Sequence, residues 1–253
     1  MREKRNLKIG ISWLDELLPE GIPVPSSTLI SGPGGTGKPL VEFAFVAAWL
    51  KSGGSLIAIP LQYPTPELMR TAMKKLYNVD FNDYPDKVVF IQFDPGVDRY
   101  RKLGKNTLQA NMIKPDVWDE ALQVAEKMLP KNELGIMVFG SALNLLLFSH
   151  RYEGAILDKL KGIIASDTSK TYAFAVSTSA FADRIKLLED AADNLMFTRV
   201  EQPMRLFFKI VRMKGAPFSE KEIEVPISQK MLEEIRQVAE ETRKRRIPEI
   251  RNV

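Results

Sequence analysis

The sequence predicts an α/β fold, a mostly parallel sheet flanked by helices with antiparallel edge strands, and three observations carry that prediction. Short β-branched and aromatic runs such as "SLIAIPL" from Ser55 and "KVVFIQF" from Lys87 alternate with helix-length segments along most of the chain. The glycine-rich run "SGPGGTGKPL", Ser31 to Leu40, joins a strand pattern to a helix pattern, and ligands of such sheets sit beyond the carboxyl ends of the strands. The last three strand patterns, "TYAFAVS", "NLMFTRV" and "RLFFKIVRM", read as successive strands, which marks an antiparallel edge.

Each element has a local reason. Trp13, Leu14, Leu17 and Leu18 recur at helical spacing in "SWLDELLP", with Ser12 as N-cap and Pro19 as the stop. The run "STLIS" from Ser27 reads as a buried strand feeding the glycine loop. From Lys38 to Leu50 the chain is apolar nearly all round, so the helix it forms must be covered on most of its surface. A strand from Ser55, the helix "TPELMRTAMKKLY" from Thr65 and a strand from Lys87 follow; Asp94 to Lys114, with "DRYRKLGKN", reads as irregular. The helix "DVWDEALQVAEKML", the strand "LGIMVF" and the helix "YEGAILDKLKGIIA" lead into the final strands. With no repeat and no low-complexity linker, the chain reads as one domain over 1–228 and a C-terminal basic helix over 229–253.

At 253 residues and 45% hydrophobic, the chain can bury a full core. Having no cysteine excludes a disulfide scaffold, a thiolate metal site and a cysteine nucleophile. His150, the single histidine, reads as a surface or helix-start residue. The charged opening "MREKRNLK" lacks the apolar core of a signal peptide, and no stretch reaches the ~20 apolar residues of a membrane span. A soluble, cytoplasmic protein is expected. The formal charge of +4 permits an anionic partner without arguing for one.

Gly32 to Lys38 spells the first seven positions of the P-loop pattern G-x-x-x-x-G-K-[ST], but the eighth position is Pro39. Proline suits the first turn of a helix because its φ is preset and its missing N–H would be an orphan there. A bound phosphate fares worse, since orphan N–H groups and the helix dipole form the anion site. One lost charge-assisted hydrogen bond is worth about 1.5–3 kcal/mol. Gly32, Gly34, Gly35 and Gly37 read either as a tight strand-to-helix turn or as phosphate contacts. Lys38 reads either as an anion ligand or as a donor to the loop's own carbonyls.

The segment "GISWLDELLPEGIPVPSSTLISGPGGTGK" resembles the opening and Walker A motif of the RecA superfamily, specifically the KaiC-like ATPases. The stretches "LLEDAADNLMF" and "MRLFFKIVRMKGAPFSEKEIEVPIS" are similar to that family's closing part, so the resemblance runs from Lys8 to Ser228. It implies a RecA-like P-loop core, nucleotide bound between neighbouring subunits, and ring or filament assembly. Position by position, Pro39 replaces the magnesium-binding hydroxyl, and Gly140-Ser141 stands where the family has Asp-Ser. Leu61, Gln62 and Tyr63 occupy the place of the water-activating glutamates; glutamine can orient a water but cannot take its proton. Arg212 and Lys214 match, with residue types exchanged, the Lys-x-Arg pair that the family extends to a neighbour's nucleotide; plain alternation on an exposed strand is the other reading. Asp94, Asp98 and Glu67 are not read as replacement ligand or base.

The expectation is a non-catalytic RecA/KaiC-like protein, a protein-binding scaffold or regulatory subunit with nucleotide binding weak or absent. Its candidate cofactor-binding residues are Gly32, Gly34, Gly35, Thr36, Gly37, Lys38, Arg212 and Lys214, with no catalytic residue and no metal ligand. No cofactor is expected, although ATP or ADP could enter without a well-held magnesium, and a homo-oligomer is compatible. With Pro39, Leu61, Tyr63, Phe139 and Ala142 around it, the cleft is expected to be more apolar than an ATP pocket and open to a partner's peptide. The alternatives are an ATPase with relocated metal and base residues, and a DNA-binding recombinase paralogue. The basic run Arg243 to Arg246 could touch phosphates, but the i,i+4 pairs Glu240–Lys244 and Glu241–Arg245 read as a solvated helix. That helix packs Leu232, Ile235, Val238 and Thr242 on its own domain or a partner; nucleic acid is not expected.

Overall fold

A computed structural model describes residues 5–63, 65–202 and 204–253. In chain order the elements are β1 (Arg5–Leu7), α1 (Ser12–Asp15), β2 (Ile22–Val24), β3 (Ser27–Ser31), α2 (Lys38–Lys51), β4 (Ser55–Pro60), α3 (Pro66–Tyr77), β5 (Val88–Phe93), β6 (Tyr100–Gly104), β7 (Thr107–Ala110), α4 (Pro115–Lys127), β8 (Ile136–Ser141), α5 (Glu153–Ser166), β9 (Thr171–Ala175), α6 (Ala182–Ala191), β10 (Asn194–Glu201), β11 (Arg205–Arg212), β12 (Ile223–Glu224) and α7 (Gln229–Arg251). Ten strands form one sheet in the order β12-β11-β10-β3-β9-β8-β4-β5-β7-β6, and β1 with β2 makes a separate antiparallel ribbon. From β10 to β7 all pairs are parallel, while β11, β12 and β6 add antiparallel edges.

Two apolar layers cover the sheet. One face carries α2 and α3 with Phe43, Trp49 and Phe139; the other carries α4, α5 and α6 with Trp118, Leu160 and Phe174. Every residue of α2 from Lys38 to Leu50 is buried, as its all-round apolar sequence requires. Because β3 and β9 run parallel with Ile30 opposite Ala175, and β4 and β8 with Pro60 opposite Ser141, the carboxyl ends of the central strands open on one edge. The P-loop lies on that edge.

Several sequence expectations need correction. Asp94 to Lys114 is no irregular stretch, since it holds the β6–β7 hairpin, with β7 parallel to β5. Its apolar signal is weak because β6 is exposed along its whole length and only Leu108 and Ala110 of β7 point inward. The helix α6 separates β9 from β10, which read as consecutive strands; its buried residues are only Ile185, Leu188 and Glu189. This crossover makes β10 parallel to β3, so the antiparallel edge starts one strand later, at β11. Ser12 is the first helical residue of α1 and caps nothing; the N-cap is Ile11, without a side-chain bond.

The C-terminal helix α7 forms as read, with the Ser228 hydroxyl accepting from the Met231 N–H at 3.3 Å. Its ion pairs differ: Arg236–Glu240 at 3.1 Å, Arg246–Glu249 at 3.2 Å and Arg245–Glu249 at 4.0 Å form in place of Glu240–Lys244 and Glu241–Arg245. In its basic run Arg243, Lys244 and Arg245 are exposed, as a solvated face requires, and Arg246 is half-buried. Leu232 joins the first apolar layer and Ile250 the second, so α7 lies as a strap across the carboxyl edge of the sheet. No helix among the described residues is long and apolar enough to cross a membrane.

Candidate functional site

The loop from Gly32 to Gly37 turns the chain from β3 into α2, and Gly37 caps α2 in the left-handed region at φ 63°, where a side chain is unfavourable. Pro39 sits in the first turn of α2, buried and compatible with the helix. The loop's polar groups are engaged with one another. Lys38 Nζ donates to the Pro33 carbonyl at 2.6 Å, the Gly32 carbonyl at 3.0 Å and the Thr36 hydroxyl at 3.2 Å, which uses all three ammonium protons. Thr36 Oγ1 in turn donates to the Pro33 carbonyl at 2.9 Å and meets Thr198 Oγ1 at 2.7 Å. The Gly34 N–H donates to Ser179 Oγ at 2.8 Å. Lys38 is 6% exposed, and its burial lowers its pKa to about 7, with the negative potential of Glu42 opposing the shift.

Facing the loop, α7 closes a cleft of about 710 Å³. A Cβ placed on Gly37 would lie 2.9 Å from Leu232 Cδ2; one on Gly35, 3.6 Å from Arg236 Cγ; and one on Gly34, 3.3 Å from Arg243 Nη1. The rest of the wall is mixed, with Gln62, Asn144, Ser177 and Arg199 beside Leu145, Phe148, Val200, Met204 and Ile247. The apolar part of the wall comes from other residues than those expected. Of the five residues invoked for it only Ala142 lines the cleft, while Pro39, Leu61, Tyr63 and Phe139 are buried in the core.

Gly32, Gly34, Gly35, Thr36, Gly37 and Lys38 are thus brought together, but Arg212 and Lys214 are not brought to their own chain's loop. Arg212 donates to the carbonyls of Glu189 and Ala192 at the end of α6, and Lys214 Nζ pairs with Asp193 at 3.2 Å. Both stand beside the start of β10, whose Asn194 lies opposite Thr28 near the start of β3, whereas the P-loop follows the end of β3. The set-aside carboxylates stay outside the cleft. Asp94 accepts from the Gly96 N–H at 2.7 Å and from Gln109 Nε2 at 2.6 Å, Asp98 pairs with Lys114 at 2.8 Å, and Glu67 is exposed in the first turn of α3. His150 is exposed in the turn before α5.

Two features escaped the sequence reading. Glu42, one turn beyond Lys38, is fully buried with neither carboxylate oxygen hydrogen-bonded, and burial holds its pKa well above the usual carboxylate range. Its signal was visible, a lone charge in an otherwise apolar helix. Arg236 and Arg243 reach the loop through tertiary packing, and nothing local announces that.

The fold family implies a magnesium nucleotide, and the residues present do not fit the metal. Pro39 offers no hydroxyl, and Glu240, the carboxylate on the cleft wall, is paired with Arg236. A Cβ on Gly140 would lie 2.9 Å from Phe174 Cδ1 and 3.0 Å from Leu143 Cδ2, so no aspartate fits there without repacking. Among the described residues, no group of three or more acidic or histidine side chains could hold a metal ion.

A mostly parallel sheet with a glycine-rich loop at the carboxyl end of a central strand and antiparallel strands closing its edges is a RecA-like α/β fold. Residues 7–129 match the family model described as "ATPase: KaiC". That match covers a little under half of the chain, so over this segment the chain is similar to the KaiC ATPases. It is similar to a UPF0273 protein of Thermotoga maritima, 25% identical over 64% of this chain and 65% of the relative. The UPF0273 protein PH0284 of Pyrococcus horikoshii is 28% identical over 64% of each chain. The matches therefore span a little under two thirds of these curated relatives. The crystal structure of the KaiC-like protein PH0186 from Pyrococcus horikoshii shares the fold, with a TM-score of 0.67, 17% identity, and coverage of 90% of this chain and 97% of that one.

Proposed function

We propose that this protein is a non-catalytic KaiC-like protein that acts by binding, as a scaffold or regulatory subunit for a protein partner, with magnesium nucleotide held weakly or not at all. One observation carries the reading: Lys38, the cation that would meet the phosphates, is buried with its three protons on its own loop, while Pro39 and Gly140 leave the metal without its ligands. Hydrolysis needs a metal to neutralise the β- and γ-phosphates and a group to prime water, and the cleft supplies neither. A surface for a protein lies elsewhere. The edge strand β6 is exposed over all five residues, with Tyr100 at 40% and Leu103 at 50% exposure, and an open edge with apolar side chains is a template for strand pairing.

Purified protein freed of contaminating ATPases, incubated with ATP and magnesium, tests the reading. The expected result is phosphate release no faster than from the Lys38→Ala variant. Turnover at ordinary enzymatic rates that Lys38→Ala abolishes would overturn it.

A further inference from the structure

We infer that the β6 edge of the sheet docks an acidic extended segment of a partner protein, which adds to the sheet as a further strand and is selected by Arg101 and Lys102. The inference rests on the reading that this protein acts by binding a protein, and it assigns that partner's chemistry and its place of attachment.

The main chain supplies the attachment. β6 is the last strand on its side of the sheet and pairs only with β7. Alternate N–H and C=O groups along Tyr100–Gly104 therefore point away from the sheet, with no strand to meet them. Residues 98–105 are exposed without a break. An extended peptide laid along them gains a ladder of main-chain hydrogen bonds, and Tyr100 and Leu103 offer it apolar contact.

Charge names the occupant. From Arg99 to Lys105 the chain carries four cations and no carboxylate. The two at the ends are answered within the chain, Arg99 by Asp116 and Glu120, and Lys105 by Asp86 at 2.7 Å. In the middle, Arg101 Nε donates to a neutral group, Gln109 Oε1, and neither Arg101 nor Lys102 has an ion pair among the described residues. Lys102 stands opposite Leu108, on the face of the second apolar layer, and Arg101 stands opposite Gln109 on the other face. Two successive acidic residues of an added strand would thus meet one cation on each face. With Tyr100 and Leu103 on either side, the matching pattern is apolar–acidic–acidic–apolar, which reads the same in both strand directions.

A second copy of β6 fits this edge badly. Antiparallel pairing centred on Lys102 would set that lysine opposite itself, and a shift of one residue would set Arg101 opposite Lys102; like charges directly opposed are unfavourable in either register. Short length, a lysine and the irregularity between Lys102 and Gly104 are also the devices by which edges resist indiscriminate pairing. An acidic strand turns the same cations into contacts, so what repels other strands selects this one.

Fluorescence anisotropy with the labelled, end-blocked peptide Thr-Val-Glu-Glu-Val-Thr, titrated with the full chain at low salt, tests the site. Binding is expected, weakened about tenfold or more in the charge-reversed variant Arg101→Glu/Lys102→Glu. The Gln-Gln peptide should bind more weakly and the Lys-Lys peptide not at all. Because any basic surface attracts an acidic peptide, a version N-methylated at alternate residues is the decisive control: it keeps the charge, loses the main-chain donors and should lose binding. Hydrogen exchange should slow at Tyr100–Gly104 in the complex. No binding at millimolar concentration, equal binding by the charge-reversed variant, or undiminished binding of the N-methylated peptide overturns the inference. Self-association of the full chain in sedimentation that the charge reversal abolishes also overturns it, since the occupant would then be a second copy. Thermal melts confirm that the variant folds. Phosphate release assayed on the same protein separates the two readings: turnover that Lys38→Ala abolishes defeats the non-catalytic function and leaves the docking edge standing, whereas absent peptide binding without turnover defeats only this inference.

Discussion

Leu232 of the C-terminal strap rests on Gly37, the loop glycine that caps α2. Gly37→Ala places a methyl group at a left-handed φ and within 2.9 Å of Leu232 Cδ2. A residue forced into that region costs about 1–3 kcal/mol, and the contact adds to it. Urea unfolding should therefore show Gly37→Ala destabilised by at least this amount. Leu232→Ala should relieve part of the loss, giving a measurable coupling in a double-mutant cycle; zero coupling would separate helix from loop.

Docking of α7 should itself be a large part of the stability. Ile250 is fully buried in the second apolar layer, and truncating such a residue to alanine costs about 2–5 kcal/mol. A loss under about 0.5 kcal/mol in Ile250→Ala, the range of surface changes, would mean that the helix is only loosely held.

Restoring the family's aspartate should harm the protein. Gly140→Asp drives a side chain into Phe174 and Leu143, and overpacking of this kind costs about 1–3 kcal/mol. Lower stability without ATP turnover is expected, even combined with Pro39→Thr. Recovery of both stability and turnover in the double variant would contradict the packing argument.

The buried pair on α2 gives opposite pH signatures. Lys38 has its folded pKa lowered from 10.5 to about 7. Between those values the unfolded chain binds the extra proton, so this group makes stability rise with pH, and its burial cost is full below pH 7. Glu42 is raised well above 4.5. There the folded chain holds the extra proton, so stability falls as pH climbs past 4.5. In urea melts across the pH range, Glu42→Gln should gain on the parent protein progressively above pH 4.5, and Lys38→Met should lose the alkaline rise. Parallel pH profiles for all three proteins would show that the two groups do not titrate as their burial requires.

Legibility followed the range of the interactions involved. The strands β3, β4, β5, β8 and β9 and the helices α2 to α5 announced themselves through apolar period and length. The β6–β7 hairpin and α6 did not, because so few of their residues face the core that local charge outweighs the pattern. In the site, Pro39 and Gly140 could be read as departures from a motif. The lining of the cleft could not, because Leu61, Tyr63 and Phe139 turn into the core while residues of distant segments, Asn144, Phe148, Arg199 and Met204 among them, form its walls.

By itself the sequence determined the class of fold and the presence of Pro39 at the eighth position of the P-loop pattern, since both depend on residue type at fixed spacing along the chain. Only the tertiary structure decided that Lys38 turns back onto Pro33 and that Arg236 and Arg243 stand over the loop from some two hundred residues away. Such contacts depend on how α7 bridges two apolar layers at the end of the sheet, and burial of Leu232 and Ile250 on opposite sides of that edge sets its course.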